Sequence, residues 1–184
     1  MIFELIATWI MLSFDDGISK NTKQVWDMLV EHNIQARFYV IWNTLHEPEN
    51  QKIAKRLVSQ WHKVCNHTYS HKNLDKVSIR EMVYEIAKWS VAIKEAIWFY
   101  PDCFRPPYWA VNRYVRYVSY RMWMRIDWSL EKWVFDTMDW DKTVDPVERM
   151  KKHLTKNHTE ILMHDNQDVV IKEVEYIIKN IFRK

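Results

Sequence analysis

Apolar residues recur along the chain in two alternating spacings. Thr8–Phe14 is largely apolar and reads as a strand. Thr22–His32 follows with Val25, Met28 and Leu29 at helical spacing, and Ala36–Ile41 is rich in aromatic and β-branched residues, a second strand. Glu49–Gln60 predicts a helix with Ile53, Leu57 and Val58 on one face, and Val64 lies in a short strand. Ser78 is an N-cap for a helix reaching about Ile97, with Glu81 completing a capping box. Phe104 begins a Pro-rich loop, Val111–Ser119 reads as helical, and Met122–Ile126 and Lys132–Phe135 read as strands. Pro146 sits at a helix start, Glu160–Met163 is a final strand and Val169–Phe182 a final helix. Strands alternating with helices imply a parallel sheet, open or closed into a barrel. In either form the chemistry belongs at the C-terminal strand ends.

At 184 residues the chain is long enough for one domain. A core of that size buries roughly 70% of the unfolded surface and needs no staples. The net charge is only +3, and Lys and Arg are interspersed with acids, which argues against a nucleic-acid partner. Nothing in the spacing of Cys65 and Cys103 demands a bridge, so two thiols are the expectation. No apolar run approaches the ~20 residues of a membrane helix. The first residues contain Glu4 and lack a basic region, so no signal peptide is read there.

Polar motifs follow the expected strands. Ser13-Phe14-Asp15-Asp16-Gly17 places two carboxylates side by side; like charges that close call for a metal or cation. His67 and His71 are four apart, so one helical turn would put both imidazoles on one face, and with Asp16 they offer two nitrogens and an oxygen. Phe104-Arg105-Pro106-Pro107-Tyr108 is a stiff loop whose arginine could grip a carboxylate through two hydrogen bonds. Asp136-Thr137-Met138-Asp139-Trp140 adds acids and an indole suited to a sugar ring, and His164-Asp165 ends the last strand with a candidate general acid. Each motif alone fits a plain structural role equally well.

Their order does not. SFDDG, HTxxH, FRPPY, DTxDW and LMHD, from about Trp9 to Asp165, resemble the ordered motifs of the polysaccharide deacetylase family, also called the NodB-homology or carbohydrate esterase four family. The resemblance implies an α/β fold, an irregular (β/α) barrel, with one such domain over residues 1–184. It implies a metal held by Asp16, His67 and His71, with Asp15 as general base. Arg105 would orient and tune that base, and the Tyr108 backbone N–H would stabilise the oxyanion. His164 would be the general acid, paired with Asp139, and Trp140 and Leu162 would line an acetyl pocket. Two imidazoles and a carboxylate suit Zn²⁺ and tolerate Co²⁺ or Ni²⁺. The implied partner is an N-acetylated glycan such as peptidoglycan or chitin. Rival readings are an O-deacetylase or amidase on the same fold, and an inactive glycan-binding module, which would need no acid–base pair. Oligomeric state is not readable. The family implies an extracellular or cell-envelope protein, whereas a complete N-terminus without a leader implies the cytoplasm; a truncated N-terminus reconciles the two.

One departure from the family is general. Glycine is usual there at positions 42, 61, 65, 98 and 109, where this chain has Trp42, Trp61, Cys65, Trp98 and Trp109. The whole chain has 1 glycine and 11 tryptophans, where about 7% glycine is ordinary. Either the sequence has diverged, or the source cell decodes UGA as glycine. On the second reading Trp140, a family tryptophan, is UGG.

Overall fold

The computed structural model describes residues 10–88, 94, 98, 100–127 and 133–182. Seven strands, β1 (Met11–Gly17), β2 (Ala36–Val40), β3 (Lys63–Asn66), β4 (Cys103–Phe104), β5 (Arg125–Ile126), β6 (Val134–Asp136) and β7 (Glu160–His164), form one sheet. Its order is β5-β4-β3-β2-β1-β7-β6, and every pairing is parallel. The helices are α1 (Thr22–Glu31), α2 (Pro48–Ser59), α3 (Ile79–Val83), α4 (Arg113–Arg121), α5 (Pro146–His153) and α6 (Val170–Ile177). The sheet curls into a half-barrel, the expected irregular (β/α) barrel. Among the described residues no helix is long and apolar enough to cross a membrane.

The period of two along each strand separates two environments. Leu12, Phe14, Phe38, Val40, Ile161 and Met163 face the helices and join Val25, Leu29, Leu57, Val174 and Ile177 in the main core. The alternate residues, Ser13, Asp15, Tyr39, Leu162 and His164, turn to the concave side. That face is polar and paired, and it leads up to the C-terminal strand ends.

Several expectations are corrected. The first strand runs through the Asp-Asp-Gly motif to Gly17, while Thr8 and Trp9 lie outside the described residues. Met122 and Trp123 are not strand; they cap α4, leaving Arg125–Ile126 as β5. Ser78 does cap α3, accepting from the Glu81 N–H at 3.2 Å. That helix is described as far as Lys88, where it has widened into a π turn; its expected continuation toward Ile97 falls outside the described residues, apart from Lys94. Lys132 also lies outside them, and β6 begins at Val134. Cys65 and Cys103 form a disulfide with Cα atoms 5.0 Å apart. They sit on adjacent parallel strands, one residue before the paired Asn66 and Phe104. Lateral neighbours on one face lie within bridging range, which spacing along the chain does not reveal.

Candidate active site

At the C-terminal end of β1 the backbone bulges. Asp15 is paired with Tyr39 and Gly17 with Val40, leaving Asp16 as the extra residue, with φ of 67°. The bulge turns two consecutive carboxylates toward one cleft, which plain alternation would have separated. Gly17 is required next: a Cβ there would collide with the Asp165 carboxyl group. Asp165 is fully buried, accepts from the Thr22 hydroxyl, and is raised by burial to about 7.

His67 and His71 do not share a helical turn, contrary to the sequence expectation. They lie in the loop after β3, where Thr68 (φ 69°) and His71 (φ 58°) are left-handed. Buried Glu85 anchors the loop, accepting from the Ser70 N–H at 2.8 Å and its hydroxyl at 2.7 Å. The rings still converge, with centroids 5.0 Å apart. Their Nε2 atoms stand 3.4 and 3.2 Å from Asp16 Oδ1. His67 Nδ1 is 2.7 Å from the Arg105 carbonyl. A carbonyl only accepts, so Nδ1 carries the proton and the Nε2 lone pair faces Asp16. Asp16 Oδ1 is buried without a hydrogen-bond partner among the described residues. Two imidazoles and an unpartnered carboxylate oxygen converging on one point fit a divalent metal.

Arg105 is fully buried and stacks on Tyr39, its guanidinium carbon 3.8 Å from the ring centroid. It does not grip one carboxylate with two bonds as expected; it bridges two. Nη1 donates to Asp15 Oδ1 at 2.7 Å and to the Ser13 hydroxyl at 3.2 Å, while Nη2 donates to Glu160. Opposite, the His164 Nδ1–H donates to Asp139 Oδ1 and its backbone N–H to Asp139 Oδ2, both at 2.7 Å. Burial opposes protonation of His164. The Asp139 hydrogen bond and charge prevail, with Asp15 and Asp16 adding to them, and raise it to about 9. Asp136 accepts from the Met138 N–H at 2.8 Å and shapes the loop that carries Asp139.

These groups meet in one cavity of about 480 Å³, lined by Asp15, Asp16, His67, His71 and His164, with Tyr108, Trp109, Trp140 and Leu162 on the apolar side. The residues predicted for the site line this cavity or, as with Arg105 and Asp139, bond to those that do. The sequence profile described as polysaccharide deacetylase matches residues 6–126. The chain belongs to the polysaccharide deacetylase family. A relative, the peptidoglycan-N-acetylglucosamine deacetylase PgdA of Listeria monocytogenes, is 34% identical over 132 residues, covering 71% of this chain and 26% of its own length. Chitin deacetylase 2 of Cryptococcus neoformans var. grubii is 28% identical over 155 residues, covering 84% of this chain and 32% of its own. The chain thus spans about a quarter to a third of these relatives. Among solved structures, the peptidoglycan deacetylase PdaC of Bacillus subtilis superposes with a TM-score of 0.79 at 28% identity, covering 94% of this chain and 82% of that one.

Sequence reasoning missed Glu160, Tyr39 and Glu173. Glu160 could have been found by period: it shares a strand face with Leu162 and His164. Glu173 could have been found as an acid on the apolar stripe of α6.

Proposed function

We propose that this domain hydrolyses the acetamide of N-acetylated amino sugars in a glycan such as peptidoglycan or chitin, releasing acetate and a free amine. The observation that carries this reading is that one cavity holds a carboxylate backed by a cation and, facing it, an imidazole backed by a carboxylate. Asp16, His67 and His71 would hold the metal, and their donor set favours Zn²⁺ while tolerating Co²⁺ or Ni²⁺. When bound, the metal supplies Lewis acidity that polarises the acetyl carbonyl and makes water easier to deprotonate.

Asp15, fixed by Arg105, accepts the proton of the attacking water as its oxygen bonds to the acetyl carbon. Tyr108 lines the cavity, and its backbone N–H would stabilise the developing oxyanion. His164 enters the reaction protonated, held so by Asp139, and delivers that proton to the nitrogen as the C–N bond breaks. Without it the amine would depart as an anion. Leu162 and the half-exposed Trp140 receive the acetyl methyl and the sugar face. The polarity of an acid–base pair disfavours a binding-only role. Acetate release from N-acetylglucosamine oligomers and from peptidoglycan, with and without chelator, tests the reading. Release from either that chelator abolishes is expected; no release from both, with metal supplied, contradicts it.

A further inference from the structure

α6 buries Val170, Glu173, Val174 and Ile177. Glu173 has no solvent exposure, and no Lys or Arg pairs with it among the described residues. The polar groups it faces are Thr137 and Asp139 on the loop after β6. In the static geometry both Glu173 oxygens and the Thr137 hydroxyl lack a well-formed hydrogen bond. Two ionised carboxylates side by side in this dry position would repel with no cation between them. A carboxylic acid carries a donor that Asp139 can accept. Resting on the reading of His164 as general acid, we propose that Glu173 is a positioning residue, a neutral carboxylic acid that hydrogen-bonds Asp139 from behind and fixes the carboxylate that holds His164.

Burial first, then the Asp139 charge, push the Glu173 carboxyl up from its ordinary range, in line with the neutral form. The groups bearing on Glu173 are Asp139 and His164; those bearing on His164 are Asp139, Asp15 and Asp16. A donor behind Asp139 draws negative charge away from the imidazolium, so it makes His164 a readier acid. Glu173→Gln keeps shape and a donor; Glu173→Leu keeps bulk and removes the donor. The expected result is an unmoved alkaline limb of the kcat–pH profile in Glu173→Gln. In Glu173→Leu the limb moves upward and kcat falls up to roughly tenfold, the worth of one buried hydrogen bond. An unmoved limb in Glu173→Leu, or a downward shift in Glu173→Gln, overturns the proposal. Infrared difference spectra of the wild type against Glu173→Gln at neutral pH give a readout independent of turnover. A protonated-carboxyl stretch lost in the variant is expected, and its absence from the wild type overturns the proposal. If the stretch is present but no glycan releases acetate, the functional reading fails and the Glu173 assignment stands.

A different observation carries a second inference. Three helices end in the same left-handed cap. After α1 the Asn33 N–H donates to Val30 at 3.0 Å and the Ile34 N–H to Leu29 at 2.8 Å; after α2, Trp61 to Val58 at 3.1 Å and His62 to Leu57 at 3.0 Å; after α4, Trp123 to Tyr120 at 3.1 Å and Met124 to Ser119 at 3.0 Å. The capping φ values are 55° at Asn33, 69° at Trp61 and 57° at Trp123. Glycine or asparagine suits that position, and tryptophan does not. Trp61 and Trp123 are 80% and 89% exposed, so packing does not compensate. Trp98 (φ 61°, 87% exposed) and Trp109 (φ 56°) repeat the pattern. We infer that the protein made in its own cell carries glycine at 61, 98, 109 and 123, written by UGA codons read as glycine. Trp42 falls outside the inference, since it has no positive φ and packs against the core. The gene should show UGA at these four codons and UGG at Trp140, and peptides from the native cell should carry glycine there. UGG at codons 61 or 123, or tryptophan in the native peptides, overturns the inference.

Discussion

On the β1 side of the cleft a carboxylate, Asp15, faces the substrate space with a cation, Arg105, behind it; on the β7 side an imidazole, His164, faces the same space with a carboxylate, Asp139, behind it. The charge order is reversed across the cleft. Amide hydrolysis needs a deprotonated base and a protonated acid at one pH, and solvent alone does not supply both. On the β7 side the backing charge of Asp139 holds His164 protonated. The two sides also differ in how they are closed: Arg105 is shared with Glu160, an ionic partner, whereas Asp139 is backed by the uncharged end of Glu173. A neutral donor draws off only part of the Asp139 charge, and the remainder still raises His164.

Removing the charge from the front of the β1 side should have the largest effect. Asp15→Asn is expected to lose about 10²–10⁴-fold in kcat, the usual worth of a general base. It should retain metal by elemental analysis, because Asp16, His67 and His71 are intact. Near-normal turnover would remove Asp15 from the base role. His67→Ala should break the proposed metal-ligand set Asp16, His67 and His71: metal retained stoichiometrically after dialysis would show that the ligands are elsewhere. The smallest effect belongs outside the cleft. Trp61→Gly and Trp123→Gly should each stabilise the fold by about 1 kcal/mol, read as a melting temperature higher by about 2–4 °C, with turnover unchanged. That contrast sharpens the difference between strain at the site and strain at helix ends. Asp16, Thr68, His71, Tyr108 and Met138 are also left-handed, but they build the bulge and loops that aim functional groups. Trp61 and Trp123 aim no functional group, and their side chains are exposed.

The strand–helix alternation and the polar motifs were readable because both are local in sequence. That strand–helix alternation implied a parallel sheet, and with it chemistry at the C-terminal strand ends. What escaped was set laterally or by backbone conformation. The Cys65–Cys103 bridge spans 38 residues and exists because β3 and β4 are neighbours in the sheet. His67 and His71 converge through left-handed loop residues rather than a helical turn, a geometry that four-residue spacing does not distinguish. Arg105 was expected to serve one acid and serves two, since Glu160 reaches it from 55 residues away. The Asp15–Asp16 pair was legible as chemistry but not as a bulge, because only the register with β2 exposes the extra residue.

The opposed charge order across the cleft is tested most directly by the pH dependence of kcat in the wild type and in Asp139→Asn. His164 must be protonated to donate. With its value raised to about 9, wild-type turnover should persist through neutral pH and fall as pH rises through that region. Neutralising Asp139 should move this alkaline limb down toward the ordinary histidine value of about 6.5. A limb that stays in place when Asp139 loses its charge would contradict the account.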